Sequence, residues 1–478
     1  MSEPTEATGP NAIDPRVFPP GARRGRECRQ LKLGGVRATE LTAEHGSPLY
    51  VIDEDAARAR AREVRSALES EAARIGTSAT VYYAGKAFLC VEVAQWMVEE
   101  GLAIDVASGG ELAVALAAGV DPARIGFHGN NKSVREIERA VEVGVGTIII
   151  DSEIETERVA AAAAAAGRRQ RVRLRVNSGV HASTHDFLAT SHEDQKFGQP
   201  LEDAPQLVSA ILAHDSLEFV GLHCHIGSQI FATDGFRESA RRLLGAYPEL
   251  ERLAGRPVPE LNLGGGFGIA YTSAQADAAP DIADIARELA NIVAETAAEV
   301  GVSVPKLAFE PGRAVIGQSG VTLYTVGTTK PVALSGSNAA ADPADLGFAE
   351  RLYVSVDGGM SDNARPALYG ADYQVRIANR ESAAAPALVR VVGKHCESGD
   401  IVVQRDVLPG DVRPGDTLAV AATGAYCWSL SSNYNYVPRP PVVAVSQGAS
   451  RVIVRGESED ELVAKSVIPA PVAPARAS

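Results

Sequence analysis

The chain has 478 residues, 45% apolar and 22% charged, with a formal net charge of −14. That length exceeds one ordinary domain and suits two, one of them a barrel of about 250 residues. An acidic surface disfavours duplex nucleic acid and anionic membranes as partners, and no apolar run approaches the ~20 residues of a membrane span, while a local basic pocket for a small anion stays open.

Residues 1–27 are polar and carry Pro10, Pro15, Pro19 and Pro20, so they read as a disordered extension. They lack the basic start and apolar core of a secretory signal, which points to the cytoplasm. The segment 28–47 is β-like (CRQLKLGGVRATEL) and is expected to join a later sheet. Over 48–316, short β-branched runs alternate with helical patterns. The runs are TVYYAG, LAIDVAS, RIGFHGN, TIIID, RVRLRVNS, FVGLHCHIGS, ELNLGGG and KLAFEPG. The helices include VEVAQWMVEE, SVREIERAVEVG and DIARELANIVAETAAEVG, and the alanine run 160–166 belongs with them. Such alternation implies a parallel sheet, and eight units favour a closed (β/α)₈ barrel over an open doubly wound sheet. From 317 to 468 short alternating strands separated by Gly, Pro and Asp predict an antiparallel β domain, sandwich- or barrel-like. Residues 335–345 read as a surface loop, 458–465 as a last helix, and 469–478 as a second disordered tail.

Cys28, Cys90, Cys224, Cys396 and Cys427 are scattered without a CxxC, which fits a reducing compartment and excludes a disulfide framework and a structural zinc. His181 and His185 have ligand spacing, but they sit in a loop-like stretch and no metal is expected there.

A barrel presents its site at the C-terminal ends of its strands. Those ends carry Lys86, then His128 with Asn130 and Asn131, then His223, His225 and Ser228, then Gly264–Gly266, then Glu310–Arg313. Barrels often bind a phosphate after strands seven and eight, where glycine lets backbone N–H groups approach an anion. LGGGFG fits that use and does not fit GxGxxG; a plain tight turn is the alternative. Lys86 follows the apolar YYAG, and an apolar setting favours the neutral amine that forms a Schiff base with an aldehyde. Alone, it reads as a lysine reaching to solvent. A phosphate site on the same rim points instead to a phosphate-bearing aldehyde cofactor. Glu310 would then keep a pyridine nitrogen protonated, the alternative being an ion pair with Arg313.

YAGKAF, HGNNKS, GLHCHIGSQI, LNLGGGFGIAY, EPGR, SVDGGMSDNARPALYGA, CESGD and GAYCWSLSSNYN together resemble the diaminopimelate decarboxylases, a family of the fold-type III pyridoxal-phosphate group that also holds ornithine and arginine decarboxylases. The resemblance spans about residues 30–465. Each motif is weak alone; eight in order at the expected rim positions are specific. It implies pyridoxal 5'-phosphate as cofactor and decarboxylation of meso-2,6-diaminopimelate to L-lysine, the last step of lysine biosynthesis by that route. It also implies a homodimer with shared sites. By the same resemblance Lys86 would hold the cofactor covalently and His225 would stack on its ring. Ser228, Gly265, Gly266 and Gly268 would hold the phosphate, Glu310 would face the ring nitrogen, and Gly312 would border the cofactor. Arg313, Arg365 and Tyr369 would hold substrate, Arg313 touching the cofactor as well. Tyr426 would touch both. Cys396 would be the proton donor and Glu397 a substrate ligand, both reaching in from the partner subunit.

The chemistry agrees with those roles. Loss of CO₂ leaves a carbanion that needs an acid on one face, and such groups typically contribute about 10²- to 10⁴-fold. A free cysteine is otherwise most often a buried hydrophobe, and the polar CESGD weakens that reading of Cys396. Diaminopimelate carries an ammonium and a carboxylate at its far end, whereas ornithine carries only the ammonium. Arg313 and Arg365 would answer the carboxylate and Glu397 the ammonium. With ornithine a buried arginine would lack its partner, which is costly. Alone, Arg365 could be a surface charge. A sister decarboxylase acting on ornithine, arginine or carboxynorspermidine is the alternative, followed by a non-catalytic cofactor-binding homologue. The CESGD and SDNARPALYG motifs disfavour a racemase. His128 is read as a rim residue or cofactor neighbour, and Lys196 is given no role.

Overall fold

The computed structural model describes residues 9–180, 196–334 and 347–467. Its centre is a closed ring of eight parallel strands: Ala79–Ala84, Ala103–Val106, Ile125–Phe127, Thr147–Ile150, Gln170–Asn177, Leu217–His223, Glu260–Asn262 and Lys306–Phe309. The last strand returns to the first through Leu307 beside Ala79. A helix of nine or more residues separates each strand from the next, from Val91–Glu99 to Ile282–Val300. The (β/α)₈ expectation therefore holds. Strands such as Ala103–Val106 and Thr147–Ile150 are buried at every position, as enclosure on both faces requires.

Three helix starts are written in the sequence as Ser-x-x-Glu. Ser108, Ser133 and Ser152 each accept the N–H of the glutamate three residues on. Each cap is worth roughly 1 kcal/mol and fixes the loop leaving strand two, three or four on the site-bearing rim.

The helix Glu54–Arg74 was not read from the sequence. Its charges hide a stripe of Ala57, Ala61, Val64, Leu68 and Ala72, which is buried and spaced at three and four residues.

The second sheet is mixed, which corrects the antiparallel expectation. Its order runs Ile401–Pro409, Pro386–Val392, Glu350–Val356, Gly320–Ala333, Leu49–Asp53, Val442–Ser446, Ala449–Val454, with Thr417–Ala421 also pairing to Gly320–Ala333. Glu350–Val356 pairs parallel with Pro386–Val392, and Val442–Ser446 parallel with Leu49–Asp53. A parallel pair needs a long crossover. Here the chain between 356 and 386 makes that excursion, and it carries the short helix Arg365–Tyr369.

Two expectations about the N-terminal part also change. Residues 28–47 do not enter the large sheet. Leu31–Leu33 and Val36–Arg37 form a small antiparallel sheet with Arg23–Arg24, which packs Leu31, Leu33 and Val36 against Val321, Leu323 and Ala419. The strand that does enter is Leu49–Asp53, because its backbone pairs with Gly320–Leu323. Nor is the whole of 1–27 an unstructured extension. Val17 and Phe18 are buried, and Asn11 both donates to the Ile377 carbonyl (3.3 Å) and accepts the Ile377 N–H (2.8 Å). Polar, proline-rich text masked that apolar pair. Residues 335–345, the tail 469–478, His181 and His185 lie outside the described residues.

Candidate active site

The first strand ends in a tight turn, Gly85–Ala87. Residues 81–85 and 87–90 are buried and Lys86 alone is exposed. The apolar enclosure read from YYAGKAF therefore stops short of the lysine side chain. The turn is clamped from both domains. Ala84 donates to the Pro311 carbonyl (3.1 Å), and a Cβ on Gly312 would lie 3.0 Å from that of Ala87. From the second domain, Tyr426 donates its N–H to the Ala87 carbonyl (2.7 Å) from a left-handed conformation (φ 65°). A non-glycine residue held there stores strain, which concentrates at functional sites.

Glu310 follows the eighth strand and meets two hydrogen-bond donors and a third group at ion-pair distance. Asn262 Nδ2 gives a hydrogen bond of 2.6 Å, His223 Nε2 another of 3.2 Å, and His128 Nε2 lies 3.2 Å from the carboxylate. Burial alone would raise this carboxyl, but the two imidazoles hold it well below the usual range. Burial would likewise lower His128, yet Glu310 and then Asp105, 3.3 Å away, hold it up to about 9. His223 is pushed down to about 4 by burial. Burial, and after it the Lys86 ammonium, push His225 well below the imidazole range, so this ring is neutral. By distance alone His128, His223 and Glu310 could surround a metal ion, since their ligand atoms lie within 4.8 Å of one another. An imidazole that binds a metal must be unprotonated at the ligating nitrogen, however, and His128 would have to surrender the proton that holds it beside Glu310. A carboxylate kept charged at a strand end fits a protonated ring nitrogen better.

The alternative reading of Glu310, an ion pair with Arg313, is not what the side chains adopt: no such pair forms. Arg313 turns to Ser228 Oγ (2.7 Å) and to the Tyr271 hydroxyl. Its guanidinium stands 4.8 Å over the Tyr426 ring. Arg365 donates to the Tyr373 hydroxyl and lies 4.7 Å over the ring of Tyr271. Both arginines are buried, and among the described residues no carboxylate pairs with either. Two enclosed cations without an anion define an anion site.

The glycine loop joins these groups. Gly265 donates to His225 Nδ1 (3.3 Å), and a Cβ there would sit 2.1 Å from the Glu310 carbonyl. Gly266 is left-handed (φ 104°), with its Cα facing the Gly227 carbonyl. Gly268 has already committed its N–H to Ile230 (3.1 Å), and a Cβ there would strike the Phe231 ring at 2.3 Å.

Cys396, Glu397 and Tyr369 are placed otherwise. All three are exposed. The hydrogen bonds of Cys396 and Glu397 run to Asn435, Ser398, Gly399 and Asp400, and none reaches the groups above. Lys196 is exposed and lies 5.0 Å from the Phe197 ring. Sequence reasoning missed Asp105, Asn262 and Tyr271. The first two were visible as lone polar residues inside apolar strands; Tyr271 gave no signal.

Comparison with known proteins shows the family. Residues 58–317 match the family model described as pyridoxal-dependent decarboxylase, pyridoxal binding domain. The chain is 49% identical over 464 residues to the diaminopimelate decarboxylase of Mycobacterium tuberculosis H37Rv, covering 95% of this chain and 98% of that one. It is 40% identical to the Bacillus subtilis enzyme of the same name, covering 94% and 97%. Among solved structures, diaminopimelate decarboxylase from M. jannaschii in co-complex with L-lysine superposes with a TM-score of 0.83 at 29% identity, covering 94% of this chain and 98% of that one.

Proposed function

The chain belongs to the pyridoxal-dependent decarboxylases, and among them to the diaminopimelate decarboxylases, and from that premise we propose a role for each residue of the rim. The reaction removes one carboxylate of meso-2,6-diaminopimelate as CO₂ and leaves L-lysine. The cofactor is pyridoxal 5'-phosphate, whose conjugated ring, when bound, takes up the electron pair left behind as CO₂ departs.

Lys86 would hold the cofactor covalently, helped by exposure at a turn clamped from both domains. Glu310 would keep the ring nitrogen protonated, and the neutral His225 would lie against the ring without adding charge. Ser228, Gly265, Gly266, Arg313 and Tyr426 would hold the phosphate, with Gly268 and Gly312 letting Phe231 and the lysine turn pack closely beside the loop. Arg313 and Arg365 would orient the distal carboxylate of the substrate, with Tyr369 and Tyr426 beside it. The observation that carries this reading is the absence, among the described residues, of any carboxylate partner for these two buried cations. A substrate with a second carboxylate supplies one.

Cys396 and Glu397 would serve the site of a partner subunit in a homodimer. Their outward placement supports this, as do the exposed apolar side chains Leu368, Tyr369, Tyr434 and Tyr436, of which Tyr434 lies 5.4 Å from the His395 ring. Cys396 would then deliver a proton from Sγ to the α-carbon, and Glu397 would meet the distal ammonium. A cytoplasmic setting suits five cysteines that are all free. No helix among the described residues is long and apolar enough to cross a membrane.

The test follows CO₂ and lysine together from meso-diaminopimelate with pyridoxal phosphate. Equal amounts are expected, lost in Lys86→Ala and Cys396→Ala; turnover by Lys86→Ala would overturn the assignment of the lysine. Mixing the two dead variants tests shared sites. Random reassortment leaves one intact site in each mixed dimer, so about a quarter of wild-type activity returns. No recovery would mean that each site is built from one chain.

A further inference from the structure

Three segments that are distant in sequence are tied into one platform behind the exposed Cys396. Asp400 of the CESGD loop accepts the His395 N–H (2.7 Å) and the Met360 N–H (2.6 Å) through its two oxygens. Ser432 donates its N–H to the Ser361 carbonyl (2.8 Å). His395 sits at the crossing and is buried. Its Nε2 accepts the Ser361 hydroxyl (2.8 Å) and faces the Ser361 N–H (3.3 Å), so the ring proton belongs on Nδ1. From there Nδ1 donates to Asn435 Oδ1 (3.3 Å). The same oxygen accepts the N–H of Cys396 (3.2 Å), which also fixes which end of the amide is the carbonyl. Asn435 is held in the left-handed region (φ 53°), which asparagine tolerates better than most residues.

One side-chain oxygen thus ties the His395 ring to the amide N–H of the His395–Cys396 peptide. The platform also carries Arg365, four residues beyond Ser361, which faces the interior of its own chain. The loop bearing the thiol is therefore set by the same unit that sets a substrate-binding cation, although the thiol points outward. An acid that must meet one face of a short-lived carbanion gains from a fixed backbone, because a displacement of about 1 Å can cost about 10²-fold in rate.

We propose that Asn435, held by His395, is a positioning residue that fixes the Cys396 backbone so that its thiol can protonate the substrate. This rests on the reading of Cys396 as the proton donor.

Asn435 is exposed, so its substitution does not threaten the core. Asn435→Gly removes the oxygen and keeps the left-handed backbone accessible. Asn435→Asp keeps an acceptor in place. With holoenzyme and meso-diaminopimelate, the glycine variant is expected to lose about tenfold or more in kcat, with KM within about twofold of wild type and Tm unchanged, and the aspartate variant to recover most of the loss. Hydrogen exchange at the Cys396 amide, read on the cofactor-free chain, should speed up about tenfold in the glycine variant and not in the aspartate variant. Cys396→Ala, run beside them, separates two failures. If it turns over normally, the proton-donor reading falls and the inference with it. If it is inactive while Asn435→Gly keeps wild-type kcat, the inference alone is overturned. A fall in Tm or a rise in KM without rescue by aspartate would also overturn it, as the mark of a merely structural residue.

Discussion

His128 and Glu310 face each other across 3.2 Å inside the mouth of the barrel, with Asp105 3.3 Å from the same imidazole nitrogen. The imidazole therefore faces two buried acidic groups at ion-pair distance. Burial would lower His128, and the acidic pair more than reverses this, to about 9 against an ordinary 6.5. The folded state then binds a proton that the unfolded chain releases above about pH 6.5, so stability falls as pH rises. This contribution is complete below about pH 6.5 and lost by about pH 9, up to about 3 kcal/mol for a residue this buried. His128→Gln should flatten the fall in Tm of the cofactor-free protein across that window. An unchanged slope would mean that His128 is not the titrating group.

Gly265 has no space for a side chain, since a Cβ would meet the Glu310 carbonyl at 2.1 Å. Gly265→Ala must therefore shift the loop or the strand end. Cofactor affinity, followed by fluorescence titration, is expected to fall at least about tenfold, and Tm to fall by several degrees. Gly119→Ala, at a helix end with open space around it, is the control: strained but unobstructed, it should leave cofactor affinity unchanged.

Glu136 links two helices at the rim. It accepts the N–H of Ser133 (2.9 Å) as a capping box and the N–H of Gly109 (2.6 Å) at the start of the preceding helix. These bonds, with Ser133 first, hold its carboxyl below the ordinary range. Its contribution is thus present above about pH 4.5 and lost as pH falls further. Glu136→Ala should cost about 1 kcal/mol in urea unfolding near neutral pH, with less difference from wild type in acid and no change in KM. A KM effect would mean that the cap also shapes the site.

The barrel was readable because each strand is a short apolar run closed by polar residues, and a helical pattern separates most of them. The rim followed, since Lys86, Glu310 and Arg313 are the residues at which those runs stop. What escaped had physical causes. Glu54–Arg74 shields a narrow alanine stripe with charge. Leu49–Asp53 looks like any barrel strand, and only its pairing with Gly320–Leu323 reveals the other sheet. The parallel pairs of the second sheet depend on where the chain goes between 356 and 386, which periodicity does not encode. Tyr271 joins Arg313 and Arg365 through its hydroxyl and its ring, and only three-dimensional contact exposes that.

Arg365 gives the sharpest test of substrate choice. It lies 4.7 Å over Tyr271 and 5.5 Å over Tyr373, close in volume to an apolar side chain but for its charge. Arg365→Met keeps most of the packing and removes the cation. If the guanidinium meets the distal carboxylate, only a substrate that has one should suffer. The ratio of kcat/KM for meso-diaminopimelate to that for ornithine or lysine should then fall by about 10²-fold or more, chiefly through KM for diaminopimelate. An equal loss on all substrates would instead place Arg365 on the α-carboxylate or the cofactor phosphate. The preference for diaminopimelate would then rest on Arg313 alone, whose guanidinium already holds Ser228.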